Sequence, residues 1–239
     1  MNPLIKLTVW LAVCLAFVAS SQAATQIALT KHNLTPSGPG TIRTTQPTGL
    51  CVFCHTPHKA NGTIALWNRD LSPATYKIYS SSTLVSVLNQ PTGSSRLCLS
   101  CHDGTLALDN LRLPPKGGLT AMGVLTGSTV LGTDLSSSHP ISFTYDSTLV
   151  GLDKWLYNPD TTTVTPPASG GGAFVSGSSM TINGFLLNGN HTVECTSCHD
   201  VHNQEGSPFD IVNNPKLVKI VGVDAQNNGS LLCRSCHNK

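Results

Sequence analysis

The sequence has few charged and few aromatic residues. Charged residues make up 11% of its 239 residues and aromatic residues 5%, and the 14 Lys and Arg against 12 Asp and Glu leave a formal charge of +2. A nucleic-acid-binding protein held by a basic field is therefore excluded as a class, and so is a disordered chain kept open by charge. With 21 Gly and 15 Pro, the chain also has little material for a large apolar core of its own.

Long hydrophobic runs are missing except near the start. Lys6 precedes an apolar run from Leu7 to Ala19, which ends in the small-x-small sequence Ser21-Gln22-Ala23. This pattern predicts a cleaved signal peptide over residues 1–23, with a retained membrane anchor as the alternative. Lipidation at Cys14 is disfavoured because Val13 is not small. We expect an exported single domain over residues 24–239 with no membrane span after cleavage.

The cysteines are the abundant feature. Eight of the nine fall in four copies of C-x-x-C-H, the signature of covalent c-type haem attachment. Two thiols three positions apart can each form a thioether with one vinyl group of a haem, and the adjacent His then supplies the proximal iron ligand. The four motifs are Cys51, Cys54 and His55; Cys98, Cys101 and His102; Cys195, Cys198 and His199; and Cys233, Cys236 and His237.

C-x-x-C pairs also bind structural zinc, hold iron–sulfur clusters, or form disulfides in an oxidising compartment. None of them requires a His directly after the second Cys. The sequence therefore predicts four covalently bound haem c groups.

The distal iron ligands have to come from outside the motifs. Of the three Met residues, Met1 leaves with the signal, so Met122 and Met180 are too few for four irons. Five His remain as candidates, one more than four irons need: His32, His58, His139, His191 and His202. Bis-histidine ligation implies low reduction potentials and leaves no open iron position. We therefore expect an electron-transfer protein and not an enzyme. A multihaem reductase needs an open iron coordination position with acid or base residues around it.

Two of these candidates have a special spacing. His58 follows His55 by three residues, and His202 follows His199 by three. A segment that short cannot pass around the edge of a porphyrin. His58 must therefore bind a different haem from the one that His55 binds, and the same holds for His202 and His199. C-x-x-C-H-x-x-H therefore predicts two haems held in contact.

The fold class that follows is a multihaem cytochrome c, mostly irregular, with short helices and a few β-hairpins wrapped around a stacked haem core. The motifs form two haem modules, residues 51–102 and 195–237, around a Gly/Ser/Thr/Pro-rich segment, residues 103–194. The composition of that segment predicts loops with a few hairpins, including a strand at residues 141–145. We expect the segment to supply His139 and His191 as ligands of nearby irons. A plain spacer is the alternative.

The positions of the outer motifs bear on assembly. Only Asn238 and Lys239 follow His237, so the last haem is expected to be exposed or covered by another molecule. The first motif lies near the other end of the mature chain. A head-to-tail contact between such ends, if it does not close into a ring, makes a filament.

The residues around the motifs resemble a known family, the extracellular tetrahaem cytochrome filaments of metal-reducing microbes (the OmcE type). The resemblance extends over nearly the whole mature chain. It rests on Lys31-His32-Asn33-Leu34, residues 51–58, Leu66-Trp67-Asn68-Arg69, residues 98–105, Ser138-His139-Pro140 and residues 198–202.

The resemblance implies a secreted, extracellular homopolymer, exported through the periplasm, with its haems in one continuous stack. It implies other multihaem cytochromes as electron donors and an extracellular acceptor such as a metal oxide. It also implies that one distal His crosses the subunit interface, and His58 would then serve the His237 haem of a neighbour. A monomeric periplasmic or cell-surface tetrahaem electron shuttle is the alternative function.

Overall fold

The structure is a computed structural model, and it describes residues 27–62, 64, 66–164, 179–202, 219 and 230–238. The predicted signal peptide, residues 1–23, lies outside these residues. Among the helices within the described ranges, none has the length and hydropathy needed to cross a bilayer.

The described secondary structure consists of short elements joined by irregular chain. A 3₁₀ helix covers Leu50–Phe53, and the α-helices are α1 (Gly93–His102), α2 (Ser147–Leu152), α3 (Ile182–Phe185), α4 (Cys195–Cys198) and α5 (Leu231–Cys236). The strands are β1 (Phe143–Thr144), β2 (Thr163–Val164), β3 (Met180–Thr181) and β4 (Thr192–Val193). The 3₁₀ helix, α1, α4 and α5 each overlap one C-x-x-C-H motif, as the sequence predicts for local helices at these sites. The predominance of irregular chain also agrees with the expected fold class, while its haem core stays a prediction.

The middle segment forms two small antiparallel sheets. Phe143 pairs with Val193 between β1 and β4, and Thr163 pairs with Thr181 between β2 and β3. Strand β1 lies inside the stretch 141–145 that the sequence predicts as a strand. The β1–β4 pairing joins residues 50 positions apart, so it is a long-range contact and not a local hairpin.

The middle segment also builds an apolar cluster, which the sequence did not predict. Side-chain caps fix the short helices beneath it: Asp146 Oδ1 accepts from Leu149 N at 3.0 Å, and Thr181 Oγ1 accepts from Gly184 N at 3.0 Å. The buried members of the cluster are Tyr145, Leu149, Val164, Ile182, Phe185, Leu186, Leu187 and Val193. The described part of the segment therefore contains a packed cluster, which a plain spacer would lack.

A second, smaller cluster lies beneath α1, where Leu99 packs against Tyr76 and Leu135. All three side chains are buried, Leu99 completely. Because Tyr76 precedes α1 in the sequence and Leu135 follows it, this contact holds the helix of the second motif against both flanking parts of the chain.

Candidate functional site

The first motif is held by the segment Leu66–Arg69. The Asn68 backbone N–H donates to Cys54 O at 2.9 Å, and its buried side-chain amide donates to Val52 O at 2.7 Å and to Leu113 O at 3.0 Å. Trp67 lies edge-on to the His55 ring, with centroids 6.0 Å apart. These contacts fix the backbone of the motif and the position of its imidazole.

The second motif ends α1, and its His is oriented by a backbone carbonyl. His102 Nδ1 lies 2.9 Å from Thr129 O, and because a carbonyl oxygen only accepts, Nδ1 carries the proton. The other ring nitrogen, Nε2, then has a free lone pair. A metal-bound His is arranged in the same way, with Nδ1–H donated to a carbonyl or carboxylate.

Helices α1 and α4 bring the second and third motifs together. Ser95 is fully buried; its Oγ accepts from Cys195 N at 3.0 Å and its N–H donates to Glu194 Oε2 at 3.1 Å. Gly93 permits this approach, because its φ is +48° and an added Cβ would lie 2.7 Å from Glu194 Oε1. The two motifs are therefore fixed relative to each other by direct hydrogen bonds.

The fourth motif, on α5, is held by the middle segment. Tyr157 N donates to Cys236 O at 2.9 Å, and Asn238 N donates to Trp155 O at 2.7 Å. The buried hydroxyl of Tyr145 donates to Tyr157 O at 2.6 Å. The apolar cluster around Tyr145 thus supports the fourth motif.

Motifs that are consecutive in the sequence have cysteines that lie near one another in space. Burial, and next the proximity of Cys101, raises the pKa of the Cys54 thiol to about 12, which links the first motif to the second. Burial, and next the proximity of Cys198, raises the pKa of the Cys236 thiol to about 12, which links the third to the fourth.

Cys98 and Cys195 link the second motif to the third. The interaction of the two thiols, with burial as the next cause, raises the pKa of Cys98, and it is the main reason that the pKa of Cys195 falls to about 7. Each of the first three motifs therefore has a cysteine near a cysteine of the next motif in the sequence.

Three imidazole pairs connect motif His residues to His residues outside the motifs. The ring centroids are 6.2 Å apart for His55 and His202, 6.0 Å apart for His102 and His32, and 6.2 Å apart for His237 and His139. Each pair joins one predicted proximal ligand to one predicted distal ligand.

The spacing of these pairs fits a haem iron. A metal–imidazole bond is about 2 Å long and the bonding nitrogen lies ~1.1 Å from its ring centroid, so two imidazoles on opposite faces of one iron stand about 6 Å apart. Ordinary aromatic contacts also reach this distance. They would not by themselves select one motif and one non-motif His every time, and the residues present therefore fit the haem that the motifs predict.

Burial keeps one distal candidate in the ligating form. The half-buried His32 ring has its pKa lowered to about 4, first by desolvation and then by the nearby imidazoles of His102, His199 and His202. At neutral pH this ring is uncharged, which is the state that a metal ligand requires. Its Nδ1 is buried with no hydrogen-bond partner in the described structure.

The orientation of His139 and that of His191 differ. His139 Nδ1 lies 2.8 Å from Pro140 O, so Nδ1 donates and Nε2 is left for a metal. His191 instead has its Nε2 2.6 Å from Asp160 Oδ1, and its backbone takes a left-handed φ of +51°. Its Nε2 is therefore engaged by a carboxylate, which makes it the poorest fit among the five predicted distal ligands.

His58 lies exposed on a tight turn. Thr56 Oγ1 donates to His58 O at 2.7 Å, and Lys59 continues the turn with a φ of +57°. The expectation that His58 serves the His237 haem of a neighbour stays a prediction; within one chain, the imidazole beside His237 is that of His139. The reason is the fold of the middle segment, which brings residue 139 to α5 within one chain.

The remaining findings concern the alternatives to haem. All eight motif cysteines are free of disulfides. Over the described ranges, no three or more His, Cys, Asp or Glu side chains converge as a metal site would require. A bis-histidine haem needs no such group, because each iron takes only two ligands from the protein.

Comparison of the sequence with protein-family models and with curated proteins gives no match. The assignment of a function therefore depends on the motifs and on the geometry of the described residues.

Sequence reasoning did not identify two residues as parts of the site. Asn68 is 0% exposed and joins the first motif to residue 113, and Arg69 is 1% exposed and bonds to the second motif. Both fall in the stretch that resembles the filament family, but a side chain buried by contacts about 40 residues away carries no local signal in the sequence.

Proposed function

We propose that this protein transfers electrons through four covalently attached, bis-histidine c-type haems, and that it does so as the subunit of an extracellular cytochrome filament. The observation that carries the proposal is the set of three imidazole pairs, 6.0 to 6.2 Å apart, each with one His from a C-x-x-C-H motif. Bound haem supplies reversible one-electron chemistry at iron.

The protein's own part is to hold four such groups in a fixed series. The Cys54–Cys101, Cys98–Cys195 and Cys198–Cys236 proximities connect the motifs in order. Cys51 in the first motif and Cys233 in the fourth are exposed, while the other six motif cysteines are partly buried. Such a series favours a path with an entrance at one end and an exit at the other.

The ligand pairs favour a conduit over an enzyme. In each of the three pairs, a distal imidazole stands where a substrate would have to bind. The Nδ1–H groups of His102 and His139 donate to backbone carbonyl oxygens, which leaves Nε2 of each ring for a metal. We expect low reduction potentials, because the proposed ligands are all imidazoles and Met ligation is what raises them.

The argument for a polymer comes from His58. If His55 and His202 bind opposite faces of one haem, the residues tethered to them, His58 and His199, lie beyond opposite faces of that haem. His58 is then directed away from the haem of His199 in its own chain. Because His58 is exposed, its imidazole is accessible to an iron of a second copy, and His191, whose Nε2 contacts Asp160, would then be the surplus His.

The partners proposed with this function are further copies of the chain in a head-to-tail polymer, other multihaem cytochromes as electron donors, and an extracellular acceptor such as a metal oxide. The protein would be secreted through the periplasm to the cell surface or beyond, after removal of residues 1–23.

Two measurements test the proposal. Intact-mass spectrometry of the purified protein should give the mature chain plus four haems; a polypeptide of amino-acid mass alone, or one that holds zinc, contradicts it. Negative-stain microscopy should show filaments for the wild type and for His191→Ala, and none for His58→Ala. Four haems without filaments in the wild type would instead favour the monomeric shuttle.

A further inference from the structure

Arg69 is a buried cation whose hydrogen bonds all go to neutral groups. Its side chain is 1% exposed. Nη1 donates to Leu108 O at 2.7 Å, and Nη2 donates to Ala107 O at 2.8 Å and to Ser100 O at 3.3 Å. The guanidinium is thus fixed in position by three backbone carbonyls.

No carboxylate neutralises this charge within the described part of the chain, where the ion pairs are Lys77–Asp134, Arg112–Asp70 and His191–Asp160. The Nε–H of Arg69 is also buried and has no hydrogen-bond partner there. Burying an ionised group without a counter-charge is costly. The charge balance of this region therefore calls for an anion that the polypeptide described here does not supply.

Arg69 lies between the first and second haem attachment motifs. Ser100, which accepts from Nη2, is inside the second motif, and the preceding residue, Asn68, donates its backbone N–H to Cys54 of the first. These two contacts place the guanidinium beside both motifs, where it would be near the attachment points of two haems.

We propose that Arg69 is the buried counter-ion of the first two haems and that it raises their reduction potentials. This rests on the proposed function, since it requires haems at both motifs. A ferric haem with ionised propionates is a net anion, and reduction makes it more negative. A fixed positive charge nearby stabilises the reduced state more than the oxidised one and compensates the charge that the polypeptide leaves unpaired.

The size of the effect follows from Coulomb's law. A unit charge roughly 10 Å from an iron, at an effective dielectric constant of about 20, changes the reduction equilibrium by more than tenfold. A tenfold change in a one-electron equilibrium is about 59 mV.

The test is a spectroelectrochemical titration of the holoprotein, resolved into four one-electron components. In Arg69→Gln, two of the four components should fall by at least about tenfold in their equilibrium constants, that is by about 59 mV or more. Arg69→Lys keeps the charge and should shift them less than the Gln variant does. Arg112→Gln is the matched control, because Arg112 is exposed and paired with Asp70, and it should leave all four unchanged.

A second variant covers the case in which Arg69→Gln does not mature. Ala107→Asp keeps the arginine and adds a carboxylate next to one of its carbonyl partners, and it should lower the same two components. Unchanged potentials in a four-haem form of either variant, or equal falls in all four components, overturn the proposal. A wild-type chain without haem refutes the proposed function instead, and the mass shows this before any titration.

Discussion

Replacing His139 by Ala tests the ligand assignment most directly. Its ring lies 6.2 Å from that of His237, and its Nδ1 donates to Pro140 O. Removal of the imidazole should open the distal position of the iron bound by His237. The proposed haem should stay attached, because thioether bonds to Cys233 and Cys236 would hold it.

The substitution should change the spin state of one iron in four. The other two close pairs, His55–His202 and His102–His32, do not involve residue 139. The single hydrogen bond lost with the ring is worth about 1 kcal/mol, against a typical stability of about 5–15 kcal/mol, so the holoprotein should stay folded. Low-temperature EPR should therefore show about a quarter of the haem iron converted from low spin to high spin.

His191→Ala is the matched control. His191 lies in the same middle segment and is also a candidate from the sequence, but its Nε2 bonds to Asp160. All four irons should remain low spin in this variant. A fully low-spin spectrum for His139→Ala, or a high-spin fraction for His191→Ala, would refute the assignment of these two residues.

Two further predictions concern the packing around the motifs. Asn68→Ala removes a fully buried amide and its hydrogen bonds to the partly buried carbonyls of Val52 and Leu113, so it should lower the free energy of unfolding by at least about 2 kcal/mol in denaturant titrations. The control, Asn110→Ala, changes an exposed residue and should alter that free energy by less than about 0.5 kcal/mol. Gly93→Ala would strain a backbone with a left-handed φ and would also place a Cβ 2.7 Å from a Glu194 oxygen. It should therefore lower the melting temperature more than Gly118→Ala, where φ is also left-handed but no atom lies near the added Cβ. Equal losses of melting temperature would contradict the argument that Gly93 is needed for close approach.

The attachment sites could be read from the sequence because C-x-x-C-H is a local pattern whose chemistry needs only five adjacent residues. The short helices at the motifs were predictable for the same reason, and α1, α4 and α5 lie there. The set of distal candidates followed from counting His and Met.

The pairing of the ligands could not be read in this way. His32 faces His102 and His55 faces His202, contacts that span about 70 and 150 residues and depend on how the whole chain packs. His139 and His191 differ in which ring nitrogen is engaged. The Nδ1 of His139 contacts a backbone carbonyl, whereas the Nε2 of His191 contacts a carboxylate 31 residues away. Arg69 remained unnoticed because a cation in sequence is expected on the surface.

The packing of α1 against α4 has a consequence for how the proposed holoprotein would be made. Once these helices have packed, Cys98 and Cys195 of two different motifs are neighbours, and in the exported protein they would meet in a compartment that favours disulfides. Oxidation at that moment would join the two sulfurs and leave each motif with one thiol for a haem that needs two. Haem attachment at the second and third motifs would therefore have to precede the docking of these helices, or a reductant would have to keep the thiols reduced until then.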